Sequence, residues 1–439
     1  MARRPSYAPL NIFLNSRHVG VLRKEPSGAI DFTYDNSWLS WEHAMPVSLS
    51  LPLREDRYIG AAVSAVFDNL LPDNEAIRSK VAAKVGAAGI DAYSLLAALG
   101  RDCVGAMQFL LDGTTPEPAG NIEGKAVSDA DITAILSNLA SAPLGLSEDD
   151  DFRISVAGAQ EKTALLYLDG QWLKPLGTTP TTHIFKPQIG QLPNGIDLSN
   201  SVENEYFCLK LMSELGLPSA SAEMADFGDR RALVVERFDR EWTDDGRLLR
   251  VPQEDCCQAL SVPWTLKYER EGGPGIQSIL KLLGGSDEAT KDREIFFKTM
   301  VVFWLLGATD GHGKNFSLFL YPGGRYSLTP LYDVLSAQSS VDAGQIKRNR
   351  MKLAMAVGDR RHYEIDSIVP RHFIQSAQKA GLGSAFVISI FEDLAANAET
   401  RLDTVLSELP KGFPVSVADS IAKGFRARLA GLVNSLEGA

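Results

Sequence analysis

The sequence predicts an α+β protein with a β-rich N-terminal part, a mixed middle part and a helical C-terminal part. Residues 10–35 alternate apolar and polar side chains between turn signals, which is typical of a small antiparallel sheet. Residues 152–240 contain short apolar runs of strand length around one helical segment. Beyond residue 277 the apolar residues mostly follow helical periodicity. The corresponding division of the chain is 1–112, 113–240 and 241–439.

The composition excludes several functional classes. With 439 residues, of which 45% are hydrophobic and 23% charged, the chain is long enough to bury a sizeable core. A net charge of −11 excludes a general nucleic-acid coat protein, because neutralising phosphates requires a basic surface. The 4 cysteines lack the spacing of a zinc site and are too few for a disulfide framework. No apolar run approaches the roughly 20 residues of a membrane-spanning helix, so we expect a cytoplasmic protein.

Turn residues and periodicity place the individual elements. The sequence Pro72-Asp-Asn74 separates two helical pieces in the N-terminal part. Predicted helices cover 60–86, 91–99, 128–139, 202–215 and 295–306. Predicted strands cover 104–111, 163–168, 182–186, 219–227, 231–236 and a hairpin at 316–328.

The polar sequence Ala308-Thr-Asp-Gly-His-Gly-Lys-Asn-Phe316 lies between an apolar helix and an apolar strand, where a loop can be held rigidly. Asp310 and Asn315 are five positions apart, the offset found in the catalytic loop of protein kinases. In that chemistry the carboxylate accepts the proton of the attacking hydroxyl, and the amide oxygen reaches a metal on the phosphates. Lys314 can neutralise charge on the transferred phosphoryl group. The spacing therefore predicts phosphoryl transfer.

A second carboxylate is needed to hold Mg²⁺, and Asp333 follows the predicted hairpin 18 residues after Asn315. Kinase-like folds use this order of loop, hairpin and aspartate to bring the metal-binding carboxylate beside the catalytic loop. Two structural alternatives stay open. Asp310 beside Gly311 also fits an Asx turn, and Asp333 also fits a helix N-cap. We expect His312 to be a buried, hydrogen-bonded histidine.

An upstream loop, Ser155-Val-Ala-Gly-Ala-Gln-Glu-Lys162, is a candidate cradle for the nucleotide phosphates. Its small residues Ala157, Gly158 and Ala159 let backbone N–H groups approach anionic oxygens closely. The loop matches neither Gly-x-Gly-x-x-Gly nor the Walker A pattern. A tight hairpin turn is the structural alternative.

Lys186 ends a predicted strand, as does the lysine that binds the α- and β-phosphates in kinases. A surface lysine is the alternative. On the helix that follows, Glu205 shares a face with Leu209 and Met212. A carboxylate on an apolar stripe requires a cation. We therefore expect Glu205 to pair with Lys186. Glu203 is the alternative partner, and we expect it to be solvated.

The strand predicted over 231–236 runs into polar residues where kinases have the hinge that reads adenine. Glu236, Arg237 and Phe238 are the residues that would contact adenine through their backbone groups. An ordinary strand end with a Glu–Arg ion pair is the alternative.

These pieces, in this order, resemble the HipA family of bacterial serine/threonine kinases, the toxins of HipA–HipB toxin–antitoxin systems. The resemblance covers nearly the whole chain. It rests on Phe67-Asp-Asn-Leu-Leu-Pro-Asp73, Gly100-Arg-Asp-Cys-Val-Gly105, Ile154-Ser-Val-Ala-Gly-Ala-Gln-Glu-Lys-Thr163, Asn204-Glu-Tyr206, Val235-Glu-Arg-Phe-Asp-Arg240, Gly272-Gly-Pro-Gly275 and the loop from Ala308 to Phe316. It implies a two-lobed fold of the phosphoinositide-kinase type, with an N-terminal β-subdomain and an all-α C-terminal lobe.

The resemblance also implies roles for individual residues. Asp310 is the implied catalytic base, with Lys314 beside it, and Asn315 and Asp333 are the implied metal ligands. Ser155 is the implied site of an inactivating autophosphorylation. The implied ATP-binding residues are Ala157, Gly158, Ala159, Gln160, Glu161, Lys162, Lys186, Glu236, Arg237, Phe238, His312, Gly313, Lys314, Asn315, Tyr332 and Asp333.

The partners follow from the same resemblance. It implies that the chain phosphorylates glutamyl-tRNA synthetase, causing growth arrest and persistence. It also implies a HipB-like antitoxin dimer that neutralises the toxin, represses at operator DNA with it and brings it to the nucleoid. Relatives have a basic DNA-contacting turn, whereas Gln378-Lys-Ala-Gly381 contains only Lys379; the basic run Lys347–Lys352 is either a substitute or a solvated loop. A small-molecule phosphotransferase of the aminoglycoside type and an inactive DNA-bound corepressor stay open as alternatives.

Overall fold

The structure, a computed structural model of the chain, describes residues 7–146, 154–158 and 160–437. The predicted helices and strands are present, with ends that differ from the predicted ones by a few residues. The break predicted at 72–74 lies between helices Ala61–Asp68 and Glu75–Val85. It falls there because Asn74 caps the second helix, accepting from the backbone N–H groups of Ala76 and Ile77 at 2.8 and 3.2 Å.

The strands are, in chain order, β1 (Leu10–Leu14), β2 (Arg17–Lys24), β3 (Ile30–Tyr34), β4 (Tyr58–Ile59), β5 (Met107–Leu111), β6 (Gly124–Ala126), β7 (Thr163–Leu168), β8 (Gln171–Pro175), β9 (His183–Pro187), β10 (Gly190–Gln191), β11 (Asp197–Leu198), β12 (Ala222–Phe227), β13 (Arg230–Glu236), β14 (Arg240–Trp242), β15 (Leu248–Arg250), β16 (Gln253–Asp255), β17 (Ser317–Tyr321), β18 (Arg325–Leu328), β19 (Lys352–Val357) and β20 (His362–Glu364).

The α-helices are α1 (Asn36–Leu39), α2 (Ala61–Asp68), α3 (Glu75–Val85), α4 (Ala92–Leu99), α5 (Asp129–Asn138), α6 (Ser201–Glu214), α7 (Cys256–Ala259), α8 (Ile276–Leu283), α9 (Ala289–Leu306), α10 (Gln338–Asp342), α11 (Pro370–Lys379), α12 (Ser384–Ser407) and α13 (Val415–Glu437).

Internal contacts divide the chain into two units. Unit 1 consists of Met1–Pro187, Ala225–Thr265 and Leu318–Tyr326. Unit 2 consists of Gln188–Met224, Leu266–Ser317 and Ser327–Ala439. The three-part division made from the sequence remains a prediction.

The N-terminal sheet of unit 1 is antiparallel, with the strand order β4-β3-β2-β1-β5. Its apolar face contributes Phe32 and Phe109 to a core that also contains Phe67 of α2. The Phe67 ring meets Phe32 at 5.6 Å and Phe109 at 5.8 Å between centroids, both edge to face. The alternation of residues 10–35 is thus confirmed as a half-buried sheet.

The second sheet of unit 1 has the strand order β12-β13-β9-β7-β8-β6 and carries the candidate nucleotide-binding residues on neighbouring strands. Thr163 at the start of β7 pairs with Phe185 of β9, and Lys186 pairs with Leu233 of β13. The loop that precedes β7 and Lys186 therefore lie at the same end of the sheet. Strand β9 continues through Pro187, one residue beyond the predicted end.

A buried ionic network connects Asp102 with the polar residues that follow β13. The Asp102 carboxylate contacts the guanidinium groups of Arg237 at 3.4 Å, Arg240 at 2.8 Å and Arg250 at 3.0 Å. Asp239 contacts Arg237 at 2.8 Å and Arg240 at 3.1 Å. Burial by itself would raise the pKa of both carboxyl groups. The arginines outweigh burial and hold both pKa values below their usual range, at about 2 for Asp239.

Unit 2 is built around α9. Residues 299–306 of this helix are buried consecutively, which is typical of a core helix rather than an amphipathic surface helix. The helix packs against α8 and α13. Trp304 Nε1 donates to the Ile365 carbonyl at 3.1 Å, so the one polar atom of this large side chain is satisfied.

The expectation of an all-α C-terminal lobe over 241–439 is wrong, because strands β15 to β20 lie within this range. The region beyond residue 277 is otherwise mostly helical. The sequence predicts the hairpin of β17 and β18 but not the two-stranded antiparallel sheet of β19 and β20. The sequence did not show it because Lys352–Val357 is a short apolar run, and periodicity alone does not separate such a run from buried helix.

The four cysteines form no disulfide bond with one another. Cys103, Cys208, Cys256 and Cys257 are free, buried thiols. Within the described ranges, no helix combines the length and the apolar character needed to cross a membrane.

Removing one member of the buried network should destabilise the protein strongly. Asp102→Asn leaves three buried guanidinium groups without their shared anion, so we expect the free energy of unfolding at pH 7 to fall by about 3–5 kcal/mol. Denaturant unfolding followed by circular dichroism measures this change. Asp245→Asn, which breaks an exposed ion pair with Arg247, is the control and should cost less than about 1 kcal/mol.

The same network predicts the direction of a pH dependence. Because the folded-state pKa of Asp239 is lowered to about 2, its stabilising contribution is complete above the unfolded-state pKa and is lost as the pH falls from about 5 towards 2. Wild-type protein should therefore lose stability more steeply over this interval than Asp239→Asn.

For the Asp102→Asn substitution, a loss of less than about 1 kcal/mol in the free energy of unfolding at pH 7 would contradict the role given to the network.

Candidate active site

The candidate catalytic loop begins where α9 ends. Gly307 terminates the helix in the left-handed conformation, with φ of 70°, and a Cβ atom there would lie 2.1 Å from Met351 Cε. The positive φ is the reason that this position favours glycine, since the Met351 methyl group is the end of a flexible side chain and could move. The chain then passes Asp310, forms a 3-10 turn at Gly313–Asn315 and enters β17. The loop thus lies between two buried elements, as predicted.

Asn315 closes this loop. Its Nδ2 atom donates to the backbone carbonyl of Asp310 at 2.8 Å, and the His312 backbone N–H donates to the same oxygen at 2.8 Å. Lys314 and Asn315 are both buried, so packing sets their positions. Because the amide nitrogen of Asn315 is used inside the loop, its Oδ1 atom is the group suited to a metal.

The Asp310 carboxylate extends from the buried loop towards solvent, with 53% of the side chain exposed. Its Oδ1 atom accepts a hydrogen bond from the hydroxyl of Tyr268, a residue that the sequence analysis did not select. His312 is buried as expected, and its Nε2 atom lies 4.0 Å from the same oxygen. The Asx-turn alternative for Asp310 is wrong, because the His312 N–H, which would donate to the side chain in such a turn, donates to the Asp310 backbone carbonyl at 2.8 Å.

Asp333 adopts an uncommon backbone conformation, with φ of 59°. A non-glycine residue in the left-handed region is uncommon, although aspartate adopts it more readily than most, and such residues occur at functional sites as well as in turns. The helix-cap alternative for Asp333 is wrong, since the next helix begins at Gln338 and its N-cap residue is Ala337. Asp333 therefore lies in an irregular segment.

Tyr332 ties this segment to the catalytic loop. Its hydroxyl donates to the Lys314 carbonyl at 2.7 Å and lies 2.6 Å from Ser317 Oγ. The residue before Asp333 is therefore hydrogen-bonded to the residue before Asn315. The structure thus brings the two candidate metal-binding segments together through hydrogen bonds that the spacing alone does not reveal.

A second connection lies on the other side of Asp333. Ala308 and Ser336 form an antiparallel bridge, and Ser336 Oγ donates to the Leu306 carbonyl at 2.6 Å. Asn204 of α6 donates from Nδ2 to the Ser336 carbonyl and accepts from the Ser336 N–H at Oδ1, both at 2.8 Å. Asn204 is buried, so these bonds form away from water. Helix α6 therefore positions the Asp333 segment through Asn204.

The acidic residues of α6 differ from expectation in one respect. Glu205 is buried, as predicted for a carboxylate on an apolar stripe. Glu203 is buried too, and the expectation that it is solvated is wrong. Its Oε2 atom accepts from Gln188 Nε2 at 2.7 Å, which satisfies the carboxylate without solvent. Pairing of Glu205 with Lys186 stays a prediction.

In unit 1 the candidate phosphate loop is held down by its own hydrogen bonds. Ser155 is completely buried, and its Oγ donates to the Leu70 carbonyl at 2.7 Å. Lys162 is buried, and its Nζ donates to the Ala157 carbonyl at 2.9 Å. Gly158 has φ of 108°, and a Cβ atom there would lie 2.6 Å from Lys162 Nζ. Glycine therefore permits the close approach of this lysine.

The remaining residues near the phosphate loop vary in exposure. Gln160 Nε2 donates to the Pro187 carbonyl at 3.2 Å, next to Lys186. Lys186 is buried, so the surface-lysine alternative is wrong. Glu161 is exposed, and Ala159 lies outside the described residues.

The three candidate hinge residues have different environments. Glu236 is exposed, whereas Arg237 is buried in the ionic network and its backbone N–H donates to the Thr182 carbonyl at 2.8 Å. The alternative of a Glu–Arg pair is wrong, since the guanidinium contacts aspartates instead. Phe238 is half-buried, and its ring lies edge to face with Phe319 at 5.8 Å. An adenine-reading role for these residues stays a prediction.

The donor set of unit 2 fits Mg²⁺ better than a transition metal. Asn315 and Asp333 offer amide and carboxylate oxygens, and Mg²⁺ usually takes one or two carboxylates together with substrate phosphates and water. In the described part of the chain, no group of three or more His, Cys, Asp or Glu residues is arranged to hold a metal by itself. A site that relies on the nucleotide for its other ligands is consistent with both observations.

The candidate DNA contact, Lys379, is the last residue of α11 and is exposed. Its Nζ atom lies 3.1 Å from an Asp359 carboxylate oxygen. That anion would have to be displaced before the lysine binds a phosphate.

Comparison with protein families and known proteins gives one consistent result. Residues 10–110 match the model of the HipA N-terminal domain, and residues 154–402 match that of the HipA-like C-terminal domain. The chain is 35% identical over 408 residues to Y4mE of Sinorhizobium fredii (strain NBRC 101917 / NGR234), which is named as a kinase, covering 91% of this chain and 93% of that protein. It is 27% identical over 396 residues to the serine/threonine-protein kinase toxin HipA of Shewanella oneidensis, covering 87% and 85% of the two chains.

The fold is similar to a solved structure as well. The HipA chain of Shewanella oneidensis MR-1, in complex with HipB and its operator DNA, superposes with a TM-score of 0.81 at 24% identity. The similarity covers 98% of this chain and 99% of that chain.

Asn204 provides a test of how the Asp333 segment is held. Asn204→Ala leaves the N–H and carbonyl groups of Ser336 buried without partners, at about 1–3 kcal/mol for each group. We therefore expect the free energy of unfolding to fall by about 2–4 kcal/mol in chemical denaturation. Asn397→Ala, which removes an exposed amide bonded to Asp393, is the control and should change stability little. Equal effects of the two substitutions would show that the Ser336 contacts carry no special weight.

Proposed function

The chain belongs to the HipA family, and from that premise we propose that it is an ATP-dependent serine/threonine protein kinase. The observation that carries the proposal is the placement of Asp310. Its carboxylate is half exposed, while the residues that follow it in the loop are buried and fixed. A base that is open to a substrate hydroxyl but attached to a rigid loop is what phosphoryl transfer to an alcohol requires.

Asp310 is the proposed general base. It orients the serine hydroxyl of the substrate and accepts its proton as the new phosphate ester bond forms. A positioned base of this kind typically contributes about 10²–10⁴-fold to the rate. The hydrogen bonds from Asn315 and His312 to the Asp310 carbonyl support the role, because they fix the backbone from which the carboxylate projects.

Asn315 and Asp333 are the proposed Mg²⁺ ligands. Bound Mg²⁺ neutralises charge on the phosphates during transfer. The proposal is supported by the hard oxygen donors of the two residues and by the hydrogen bond that connects Tyr332 to Lys314, one residue before Asn315. Lys314, buried in the same loop, is proposed to neutralise negative charge on the transferred group.

The residues of unit 1 are proposed to bind the nucleotide. Lys186 and the loop from Ala157 to Lys162 would hold phosphates, with Glu205 as the partner of Lys186, and Glu236–Phe238 would read adenine. Support comes from the position of the loop and Lys186 at one end of the same sheet. The positive φ of Gly158 supports the proposal too, because a residue without a Cβ atom lets Lys162 Nζ come close to the backbone of the loop.

Ser155 is proposed as a site of self-inactivation. A phosphate on this residue adds about −1.5 to −2 charges at neutral pH. Because the hydroxyl is completely buried against Leu70, neither the transfer nor its product is compatible with the present loop position. The loop has to leave, and the phosphate-binding residues that follow Ser155 would leave with it.

The partners proposed for this chain are those of the family. They are a HipB-like antitoxin dimer, operator DNA with Lys379 as a contact, and glutamyl-tRNA synthetase as the phosphorylated protein. Association with the nucleoid and growth arrest with persistence would follow. The solved relative, which is bound to HipB and its operator, supports the first two by the likeness of fold.

Asp310→Asn should abolish phosphoryl transfer while ATP still binds. We expect a loss of at least about 100-fold in ³²P transfer from γ-labelled ATP to protein serine, because the amide cannot accept the proton. Calorimetric titration with an ATP analogue should give an unchanged affinity. Asp403→Asn, which removes an exposed carboxylate paired with Arg426, is the matched control and should retain full activity.

Three results would count against this assignment. Retention of more than about a tenth of wild-type transfer by Asp310→Asn would mean that another group is the base. Label recovered in a small molecule rather than in protein would favour a phosphotransferase of the aminoglycoside type. Wild-type protein that binds operator DNA with an antitoxin but transfers no label would favour the inactive corepressor.

Ser155 should carry phosphate after the pure protein is incubated with Mg²⁺-ATP. Mass spectrometry of the peptide that contains Ser155 is the measurement, and the modified protein should bind ATP more weakly. Ser155→Ala should show no such peptide, and Ser27→Ala, an exposed serine of unit 1, should leave it unchanged. An unmodified Ser155, or a phosphorylated form with normal ATP affinity, would contradict self-inactivation.

A further inference from the structure

The glycine cluster Gly272-Gly-Pro-Gly275 has no role in the function proposed above, yet it shapes a segment beside the catalytic loop. A 3-10 turn at Glu269–Glu271 precedes it, and Gly272 follows with φ of 104°. A Cβ atom on Gly273 would lie 2.1 Å from the Leu266 carbonyl oxygen, and one on Gly275 would lie 2.4 Å from Glu269 Cδ. The glycines thus allow the segment to fold back closely on itself.

Backbone contacts hold this segment against the catalytic loop. The Gly313 N–H donates to the Lys267 carbonyl at 3.3 Å, and the Gly273 N–H donates to the Tyr268 carbonyl at 3.0 Å. The backbone of Tyr268 is therefore fixed on both sides, by the catalytic loop and by the glycine cluster.

Glu269 anchors the segment to a further part of unit 2. Its carboxylate accepts from the Ala356 N–H and lies 3.3 Å from Arg361. These contacts leave little freedom for the residue before it, Tyr268.

The side chain of Tyr268 faces the candidate base. Its hydroxyl donates to Asp310 Oδ1. Its ring stands perpendicular to His312, with centroids 5.0 Å apart and an interplanar angle of 87°. Burial, reinforced by the negative charge of Asp310, raises the pKa of Tyr268 above its ordinary value, so the hydroxyl remains a proton donor at physiological pH.

We propose that Tyr268 is a positioning residue for phosphoryl transfer, which fixes the Asp310 carboxylate by occupying Oδ1 and leaves Oδ2 for the substrate hydroxyl. The inference rests on the proposed function, in which Asp310 is the base. A half-exposed aspartate otherwise samples several orientations, and each turnover would require it to be ordered again. An ionised carboxylate has acceptor positions for both hydroxyl groups at once.

The geometry also separates this role from simple packing. The ring of Tyr268 contacts His312, whereas the hydroxyl contacts only Asp310 among the contacts described for it. Removing the oxygen alone therefore leaves the ring contact in place and tests the hydrogen bond by itself.

Tyr268→Phe should lower kcat for serine phosphorylation about tenfold, a part of the roughly 10²–10⁴-fold that a positioned base supplies. The KM for ATP should stay within about twofold, because nothing in the nucleotide-binding loop is changed. The two substitutions should also be non-additive: Tyr268→Phe in the Asp310→Asn background should cause less than about a twofold further loss, since a residue that acts through the base has no effect without it.

Tyr167→Phe removes a tyrosine hydroxyl from an exposed position in β7 and is the control, with kcat expected unchanged. Gly273→Ala provides an independent route, because the added Cβ must move the segment away from the Leu266 carbonyl and with it Tyr268 from Asp310. It should lower kcat with little effect on the KM for ATP, and it carries the test if Tyr268→Phe does not fold.

The results distinguish this inference from the function on which it rests. If Asp310→Asn keeps wild-type activity, the proposed base is wrong. If Asp310→Asn is inactive but Tyr268→Phe keeps wild-type kcat, or adds its full effect in the double variant, only the positioning role of Tyr268 is overturned. An unchanged kcat in a folded Gly273→Ala would also overturn it.

Discussion

The antiparallel pairing of Ala308 with Ser336 is the interaction on which the arrangement of the proposed catalytic groups depends. Ala308 precedes Asp310 and Asn315 in the chain, and Ser336 follows Asp333. Pairing their backbones brings two segments that are distant in sequence to a common place at the end of α9. Tyr332 adds a second connection through the Lys314 carbonyl, so each segment is fixed at two points. Two fixed points are what allow exposed polar groups to keep a defined geometry.

The supports of this pairing are buried and polar, and they come from elsewhere in the chain. Asn204 satisfies both backbone groups of Ser336, and Gly307 ends α9 in the left-handed conformation that glycine adopts readily. A buried polar group without a hydrogen-bond partner lowers stability, whereas a network in which every group has a partner favours one arrangement of the segments. Strain at Asp333, with its positive φ, is tolerated because the residues on either side are held.

In unit 1, a buried network of charged side chains, rather than backbone pairing, holds the candidate binding segments in place. The Asp102 carboxylate is the centre of the arginine network, while its backbone carbonyl accepts from the Ser155 N–H at 2.9 Å. Asp102, the carboxylate shared by the three arginines, therefore also anchors the start of the candidate phosphate loop. Arg237, one of its partners, lies in the candidate hinge. A charge network of this kind contributes little net stability, but it leaves few alternative arrangements for the segments it joins.

Local signals in the sequence predicted the elements and selected the candidate catalytic residues, whereas the contacts that orient these residues were not predictable. Helix α9 and the loop after it follow from an unbroken apolar run and from the spacing of Asp310 and Asn315. Asn204 lies in the motif Asn204-Glu-Tyr206. Its hydrogen-bond partner Ser336 is 132 positions away, so the sequence could not predict that Asn204 holds the Asp333 segment. No pattern in the sequence marks Tyr268 as a residue of the site, apart from the glycine cluster that follows it. Glu203 was expected to be solvated because helical periodicity shows one buried face and not a second polar partner such as Gln188.

The Mg²⁺ dependence of nucleotide binding in wild-type protein and in Asp333→Ala tests most directly whether the paired segments form a metal-assisted site for phosphoryl transfer. Calorimetric titration with a non-hydrolysable ATP analogue should show tighter binding to the wild-type chain when Mg²⁺ is present. In Asp333→Ala that enhancement should be lost, because the carboxylate shared between metal and phosphates is removed. An equal Mg²⁺ enhancement in the two proteins would contradict the account and would place the metal elsewhere in the chain.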